Sequence, residues 1–381
     1  MSVTLTDPPG PPGSPRRETR RIALVLQGGG ALGSYQAGVY EALAGRGYAP
    51  DWVAGMSIGA INAAIIAGNA PQDRVARLRS FWEQISAPSA AWPDLPFPPW
   101  QQAMRESGAL AAVLFGQPGF FRPNLLQFWR TGQAPTSYYD TTGLRATLER
   151  LVDFDRINAG PVRLSVGAVN VQTGNFAYFD TARQKIGPEH IMASGALPPG
   201  FPAVEVDGEC YWDGGLVSNT PLQYVLDSTP RHSMLAFQVD LFPARGALPD
   251  NLEAVEERRK DIVYSSRTRM GVDSFSKMHE LRCHVFRLLA RLPPDVADGP
   301  DLQALRAAAC QARMDIVELI YRARDPQGPL KDIEFARATM VARWEQGLSD
   351  AEASLAAAPW LEPAPPEVAV RTFDVLRPPG G

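Results

Sequence analysis

The stretch Trp52-Val53-Ala54-Gly55-Met56-Ser57-Ile58-Gly59-Ala60-Ile61-Asn62-Ala63-Ala64-Ile65-Ile66-Ala67 runs from a short apolar segment through Gly-x-Ser-x-Gly into small helix-forming residues. Strand, sharp turn and helix in that order are the context of a nucleophile elbow. Gly55 and Gly59 have no Cβ, so the chain can turn tightly and leave the Ser57 hydroxyl clear of the backbone. The following helix would point its positive end at any oxyanion formed beside the serine. Ser57 is therefore the candidate nucleophile, although Gly-x-Ser-x-Gly by itself also fits an ordinary loop.

Upstream, Arg21-Ile22-Ala23-Leu24-Val25-Leu26 reads as a fully buried strand that runs into Gln27-Gly28-Gly29-Gly30-Ala31-Leu32-Gly33. A helix is expected over residues 34–44, with Tyr35, Val39 and Leu43 on one face. Glycines between strand and helix leave several backbone N–H groups unshielded, which suits an anion. Gly28, Gly30 and Gly33 formally fit the dinucleotide pattern G-x-G-x-x-G. That pattern wants an acidic residue at the end of a second strand. Asp51 instead precedes its strand, and that strand ends in the serine elbow, so the loop fits an oxyanion hole better.

Downstream, Asp213-Gly214-Gly215 follows Asp207-Gly208-Glu209, and an aspartate before two glycines is often a plain turn. Partners for Ser57 are open at this point. The chain has four histidines, His190, His232, His279 and His284, and none stands in a local motif.

Four segments together resemble the patatin-like phospholipases: residues 28–33, residues 55–59, Ala193-Ser194-Gly195-Ala196-Leu197-Pro198-Pro199-Gly200-Phe201, and residues 213–215. Their order and spacing span about residues 20–240. The resemblance implies a Ser-Asp dyad, with Ser57 the nucleophile and Asp213 its general base. It also implies an oxyanion hole from the amides of Gly28, Gly29 and Gly30, with Gly33, Gly55, Gly59, Gly214 and Gly215 as motif glycines. A carboxylate with a usual pKa of about 3.9 is a weak base at neutral pH, so the oxyanion donors must carry much of the barrier reduction. The family pattern has Arg or Lys two residues past the third glycine. Leu32 stands there, which removes a cation suited to an anionic headgroup.

At 381 residues and 45% hydrophobic content the chain can bury a large core. A net charge of −4 and a pI near 5.7 give no electrostatic case for nucleic acid. Cys210, Cys283 and Cys310 are odd in number and lack metal spacing, so a reducing compartment is expected, with no disulfide framework, metal or cofactor. Arg16-Arg17-Glu18-Thr19-Arg20-Arg21 superficially resembles a twin-arginine signal, but the apolar run after it is too short. No apolar run reaches the length of a membrane span. The expected location is the cytoplasm, peripheral to the inner face of the membrane.

The expected fold is a three-layer α/β/α sandwich with a mainly parallel central sheet. Residues 1–20 read as a disordered tail and residues 21–242 as the catalytic domain. Aromatic residues and prolines crowd residues 86–139, so this part reads as a cap of short helices, either packing or walling an acyl pocket. A helix is expected from 140 to 151, strands over 162–171, 175–179 and 233–241, and a short helix over 188–194. Residues 243–358 read as a mostly helical extension packed on the core. It comprises a charged helical stretch over 251–292, a strand over 315–321 and a helix over 331–358. Residues 359–381 read as a Pro-rich, extended tail.

The function expected is a serine lipid acyl hydrolase of phospholipase A or esterase type, acting on a lipid or acyl-ester substrate through an acyl-enzyme. Acyl transfer or cleavage of hydroxyalkanoate oligomers would use the same dyad. A membrane-associated binding protein without turnover is the rival from another class.

Overall fold

The computed structural model describes residues 20–86, 114, 116–117, 119–124, 135–265, 268–293, 299–324, 327–365 and 367–377. Apart from Arg20, the expected N-terminal tail lies outside the described residues, as does most of the expected cap.

Among the described residues the strands are β1 (Arg21–Leu26), β2 (Trp52–Gly55), β3 (Arg122–Pro123), β4 (Tyr139–Asp140), β5 (Arg163–Asn170), β6 (Phe176–Asp180), β7 (Val204–Val206), β8 (Glu209–Asp213), β9 (Met234–Asp240), β10 (Met314–Ile320) and β11 (Val370–Phe373). Nine of them form one sheet in the order β11-β10-β9-β1-β2-β5-β8-β7, with β6 also paired to β5. From β11 across to β5 every pairing is parallel, and the pairs β5–β6, β5–β8 and β7–β8 are antiparallel. β3 and β4 make a separate antiparallel pair.

Alternation along the strands divides the core in two. Leu24 and Leu26 join Val53, Phe237, Val239 and Leu319 on one face, under the helices Ser34–Gly45, Ile58–Ala67 and Arg337–Ala357. Ala23 and Val25 join Trp52, Ala54, Ala236 and Ile316 on the other, under Leu222 and Val225 of one helix and Val272 and Phe275 of another. A sheet buried on both faces needs strands that are apolar throughout, which is why β1 lacks a polar alternation. The fold is the three-layer α/β/α sandwich expected from the sequence.

The sheet's connections place the site. The chain leaves β1 for β2 on one side, and β9 lies on the other, so a crevice opens at the carboxyl end of β1. β5 then brings a distant strand into the same place. β6 pairs with residues 165–169 of β5, overlapping both the β2-paired residues (163–166) and the β8-paired residues (168–170). β2 and β8 must therefore share the opposite edge of β5, end to end. Gly55 is paired with Val166 and Asp213 with Ala168, so antiparallel β8 finishes where parallel β2 finishes.

At the other end of these strands Asp180 is fully buried. Its carboxylate accepts from both Arg163 Nε and Nη2, Ser165 Oγ, Tyr224 Oη and the Ala182 N–H, at 2.6 to 3.0 Å. The Arg163 guanidinium lies 3.7 Å over the Trp52 ring. Breaking a buried pair leaves its partner's charge uncompensated, so Asp180→Ala should destabilise the fold by about 3–5 kcal/mol. Urea denaturation checks this, and a loss under about 1 kcal/mol would mean that the pair is dispensable.

The C-terminal part differs from expectation in two places. The charged helical stretch expected over 251–292 comprises two helices, Leu252–Tyr264 and Thr268–Leu289. The break follows from the Tyr264 carbonyl, which accepts from the side-chain amides of Gln27 (3.2 Å) and Asn219 (3.0 Å) instead of from a next helical turn. The helix expected from 331 begins at Arg337, since residues 327–336 are taken up by contacts described below. Within 359–381, Val370–Phe373 adds an edge strand beside β10. Among the described residues no helix is long and apolar enough to cross a membrane.

Candidate active site

β1 and β2 end side by side, with Leu26 paired to Gly55, so the glycine loop and the serine turn meet. The Met56 N–H donates to the Leu26 carbonyl at 3.1 Å, which fixes the start of the turn. Ser57 then takes φ 53° and ψ −123°, at the head of the helix Ile58–Ala67. A Cβ on Gly55 would overlap the Gly59 carbonyl, and one on Gly59 would overlap the Leu26 carbonyl. Only glycine at both positions lets the helix close onto the strand ends.

A left-handed backbone at a residue with a side chain stores strain of order 1–3 kcal/mol. Ser57→Gly should therefore be about 1 kcal/mol more stable to urea than Ser57→Ala, since alanine keeps the strain and glycine releases it. Equal stability of the two variants would show that the turn carries no strain. The Ser57 N–H is held from below, donating to both the carbonyl and the hydroxyl of Ser194 at 3.2 Å.

Asp213 closes β8 and is 2% exposed. Its Oδ1 accepts from the Gly215 N–H at 2.7 Å. Burial pushes the Asp213 pKa up to about 6, against the lowering effect of the Ser57 hydroxyl and the Gly215 N–H beside it. Met56 packs between the β5 backbone at Gly167 and the turn at Gly214, which seats the serine turn against the aspartate turn.

In the glycine loop the donors separate into two kinds. The Gly28 N–H donates to the Asn219 carbonyl at 3.1 Å, so it is not free to bind an oxyanion, contrary to expectation. Gly28 is needed for closeness, because a Cβ there would overlap Asn219 Oδ1 and crowd Ser57. The N–H groups of Gly29 and Gly30 have no hydrogen-bond partner among the described residues. The Ile58 N–H, first in its helix, has no hydrogen-bond partner among the described residues either. The next two amides, Ala31 and Leu32, donate to the carbonyls of Asp332 (2.7 Å) and Gly29 (3.1 Å). The Gly33 carbonyl accepts from Asn62 Nδ2 at 3.0 Å, which ties the loop to the helix after Ser57.

Ser57, Asp213, Gly215, Asn219 and residues 28–30 line one cavity of about 290 Å³. Its remaining wall is almost wholly apolar. Phe120, Phe121 and Tyr139, described residues of the expected cap, form an aromatic cluster with Phe201 from the Pro-Pro-Gly-Phe segment. Phe335 packs on Phe120 and Phe121 from the C-terminal part. None of the four histidines lines the cavity. His190 accepts from the Gly187 N–H and His279 stacks on Phe275, so both serve packing. Leu32 is fully buried and also lies outside the cavity wall. Asp51, weighed for a ribose contact, accepts from the Ile22 N–H at the far end of the strands.

Sequence reading missed several residues here. Ser194 lies within a quoted motif, but its grip on the Ser57 amide has no local signature. Asn219 brackets Gly28, accepting its N–H and donating from Nδ2 to its carbonyl at 3.0 Å. Its one available signal is a polar residue shortly after the Asp-Gly-Gly turn. Phe242, Tyr264, Ile333 and Phe335 reach the cavity from the C-terminal half, where no motif marks them.

A family model described as "Patatin-like phospholipase" matches residues 24–226, more than half of the chain. A second, described as "Patatin phospholipase", matches residues 262–367. Among solved structures, VipD from Legionella pneumophila is similar at 14% identity, over 89% of this chain and 67% of its own, with a TM-score of 0.38. Human GIVD cytosolic phospholipase A2 is similar at 12% identity over 89% of this chain and 59% of its own, with a TM-score of 0.36. The ExoU-SpcU complex of Pseudomonas aeruginosa contains a chain similar at 16% identity over 84% and 76%, with a TM-score of 0.29. No curated protein matches the sequence. The chain, with the serine turn, glycine loop and aspartate turn of the matched segment gathered at one cavity, belongs to the patatin-like phospholipase family.

Proposed function

We propose that the protein is a serine acyl hydrolase that cleaves carboxylic esters of lipids through an acyl-enzyme, with Ser57 as nucleophile and Asp213 as general base. The observation that carries this reading is the meeting of β2 and β8 on one edge of β5. It puts a strained serine hydroxyl against a buried carboxylate whose pKa is raised to about 6. Such a carboxylate is ionised at neutral pH and is a better proton acceptor than an exposed one.

The Ser57 Oγ attacks the ester carbonyl carbon as its proton passes to Asp213. The carbonyl π electrons move onto oxygen, where the amides of Gly29 and Gly30, joined by Ile58, donate to the oxyanion. Collapse breaks the bond to the alcohol, which leaves with the proton from Asp213, and an ester to Ser57 remains. Water repeats the sequence, giving up a proton to Asp213 and releasing the acid and the free serine. The apolar cavity supports an acyl chain as the group held. Leu216 and Val217, exposed just beyond Gly215, support contact of the cavity mouth with a lipid surface in a peripheral mode.

Hydrolysis of acyl esters from acetyl to palmitoyl, by wild type beside Ser57→Ala, tests the reading. Activity of the wild type that the substitution abolishes is expected, and activity that survives it would refute the assignment. The pH profile supplies a second check. Because the base is active only when ionised, kcat/KM should fall tenfold per pH unit below about 6. A profile flat down to about pH 4 would exclude a base with that pKa.

A further inference from the structure

The segment 327–336 has no regular helix or strand, yet several buried side chains bind it. Lys331 is 4% exposed, and fully buried lysines are rare unless paired. Its Nζ meets Glu257 at 3.0 Å and Asp261 at 2.6 Å, both on the helix Leu252–Tyr264. From the same helix Lys260 Nζ donates to Asp332 Oδ1 and to the Pro329 carbonyl, each at 2.6 Å. The buried Arg343 donates to the carbonyls of Lys331 (2.9 Å) and Glu334 (3.2 Å) from the opposite side.

All of this fixes one carbonyl in particular. Asp332 O accepts the Ala31 N–H at 2.7 Å, and it occupies the space where a Cβ on Gly30 would stand. The glycine loop thus rests on the backbone of a residue about 300 positions away in sequence. The other end of the loop is held by Asn219, whose Nδ2 also donates to the carbonyl of Tyr264, the last residue of the same helix.

We propose that residues 328–335 act as the outer buttress of the oxyanion loop, and that Lys260 and Lys331 are positioning residues for the amides of Gly29 and Gly30. The inference rests on the reading of those amides as oxyanion donors. A donor works only within a few tenths of an ångström of the place where charge develops, and a misplacement of about 1 Å can lower the rate about 100-fold. The lysines touch no substrate. They anchor the segment that carries Asp332, the Asp332 carbonyl holds the Ala31 N–H, and Ala31 sets the plane of the preceding amides.

The test is steady-state kinetics of Lys260→Met and Lys331→Met on the best ester of the series, with inhibition by a trifluoromethyl ketone that mimics the tetrahedral adduct. Arg371→Met is the control, breaking the Arg371 to Asp315 ion pair (2.7 Å) at the far edge of the sheet. The lysine variants should lower kcat about 10- to 100-fold with KM nearly unchanged, and should weaken ketone inhibition by the same factor as kcat/KM. Lys260→Arg should recover most of the loss, and Arg371→Met should lower stability alone. Wild-type kcat in folded Lys260→Met and Lys331→Met would overturn the proposal, and so would a loss confined to KM or an equal loss in Arg371→Met. If Lys331→Met does not fold, Lys260→Met decides alone, because its ion pair is partly exposed. Ser57→Ala is assayed beside them: activity surviving there refutes the underlying reading, whereas activity lost there but kept in the lysine variants refutes only the buttress.

Discussion

Asp213→Asn is expected to lower turnover roughly 10³-fold or more and, in the same molecule, to stabilise the fold at neutral pH. Asparagine keeps the shape and an oxygen for the Gly215 N–H, but it cannot accept the serine proton. The stability gain follows from the raised pKa. The carboxyl titrates at about 6 in the fold and at about 3.9 when unfolded. Between those values the native state binds more protons than the unfolded one, so stability falls as pH rises through the window. Above about pH 6 the whole contribution is lost, amounting to about 3 kcal/mol for a difference of that size. Asp213→Asn carries no charge and escapes this loss. Urea denaturation at about pH 8 should favour the variant by up to about 3 kcal/mol, and the two proteins should converge below about pH 4. Equal stability at high pH would mean that the carboxylate is buried at no cost, and the raised pKa would fall with it.

Gly30→Ala is the second large effect. The residue holds φ +54°, and a Cβ would overlap the Asp332 carbonyl oxygen, which is itself bonded to Ala31. Backbone cannot yield as a flexible side chain can, so the methyl group must displace either the glycine loop or the segment 328–335. Both carry the proposed donors or their support. Losing one oxyanion donor lowers kcat by about 10²- to 10³-fold, and that range is expected here, with KM changed far less. Gly45→Ala is the matched control, because nothing lies within 4 Å of a Cβ at that helical position. Full activity in Gly30→Ala would show that the loop amides do not act on the transition state.

The sequence made the centre of this fold legible because its decisive features are local. β1 is apolar from Ile22 to Leu26, as a strand buried on both faces must be, and Gly-x-Ser-x-Gly carries its own turn chemistry. The short helix Pro188–Ser194 and the strands β5, β6 and β9 fall within one or two residues of expectation for the same reason. What could not be read is the work of long-range contacts. The Tyr264 carbonyl ends its helix because Gln27 and Asn219 claim it, and nothing near residue 264 announces that. Lys331 begins no helix because its ammonium sits between two carboxylates of another segment. Gly28 looked like its two neighbours, yet its amide is already committed to Asn219, a distinction no glycine run can show. The aromatic residues of the expected cap were visible as composition, but the convergence of Phe120 and Phe121 with Phe201 and Phe335 needs three separated segments.

The proposed mechanism requires that Ser57 carry the acyl group. Intact-mass analysis of the protein during turnover of an activated acyl ester, quenched in acid and followed by peptide mapping, tests it most directly. An adduct of one acyl group on the peptide containing Ser57, formed before steady state and absent in Ser57→Ala, is expected. Steady release of acid with no adduct at any time, or an adduct that maps elsewhere and persists in Ser57→Ala, would contradict it.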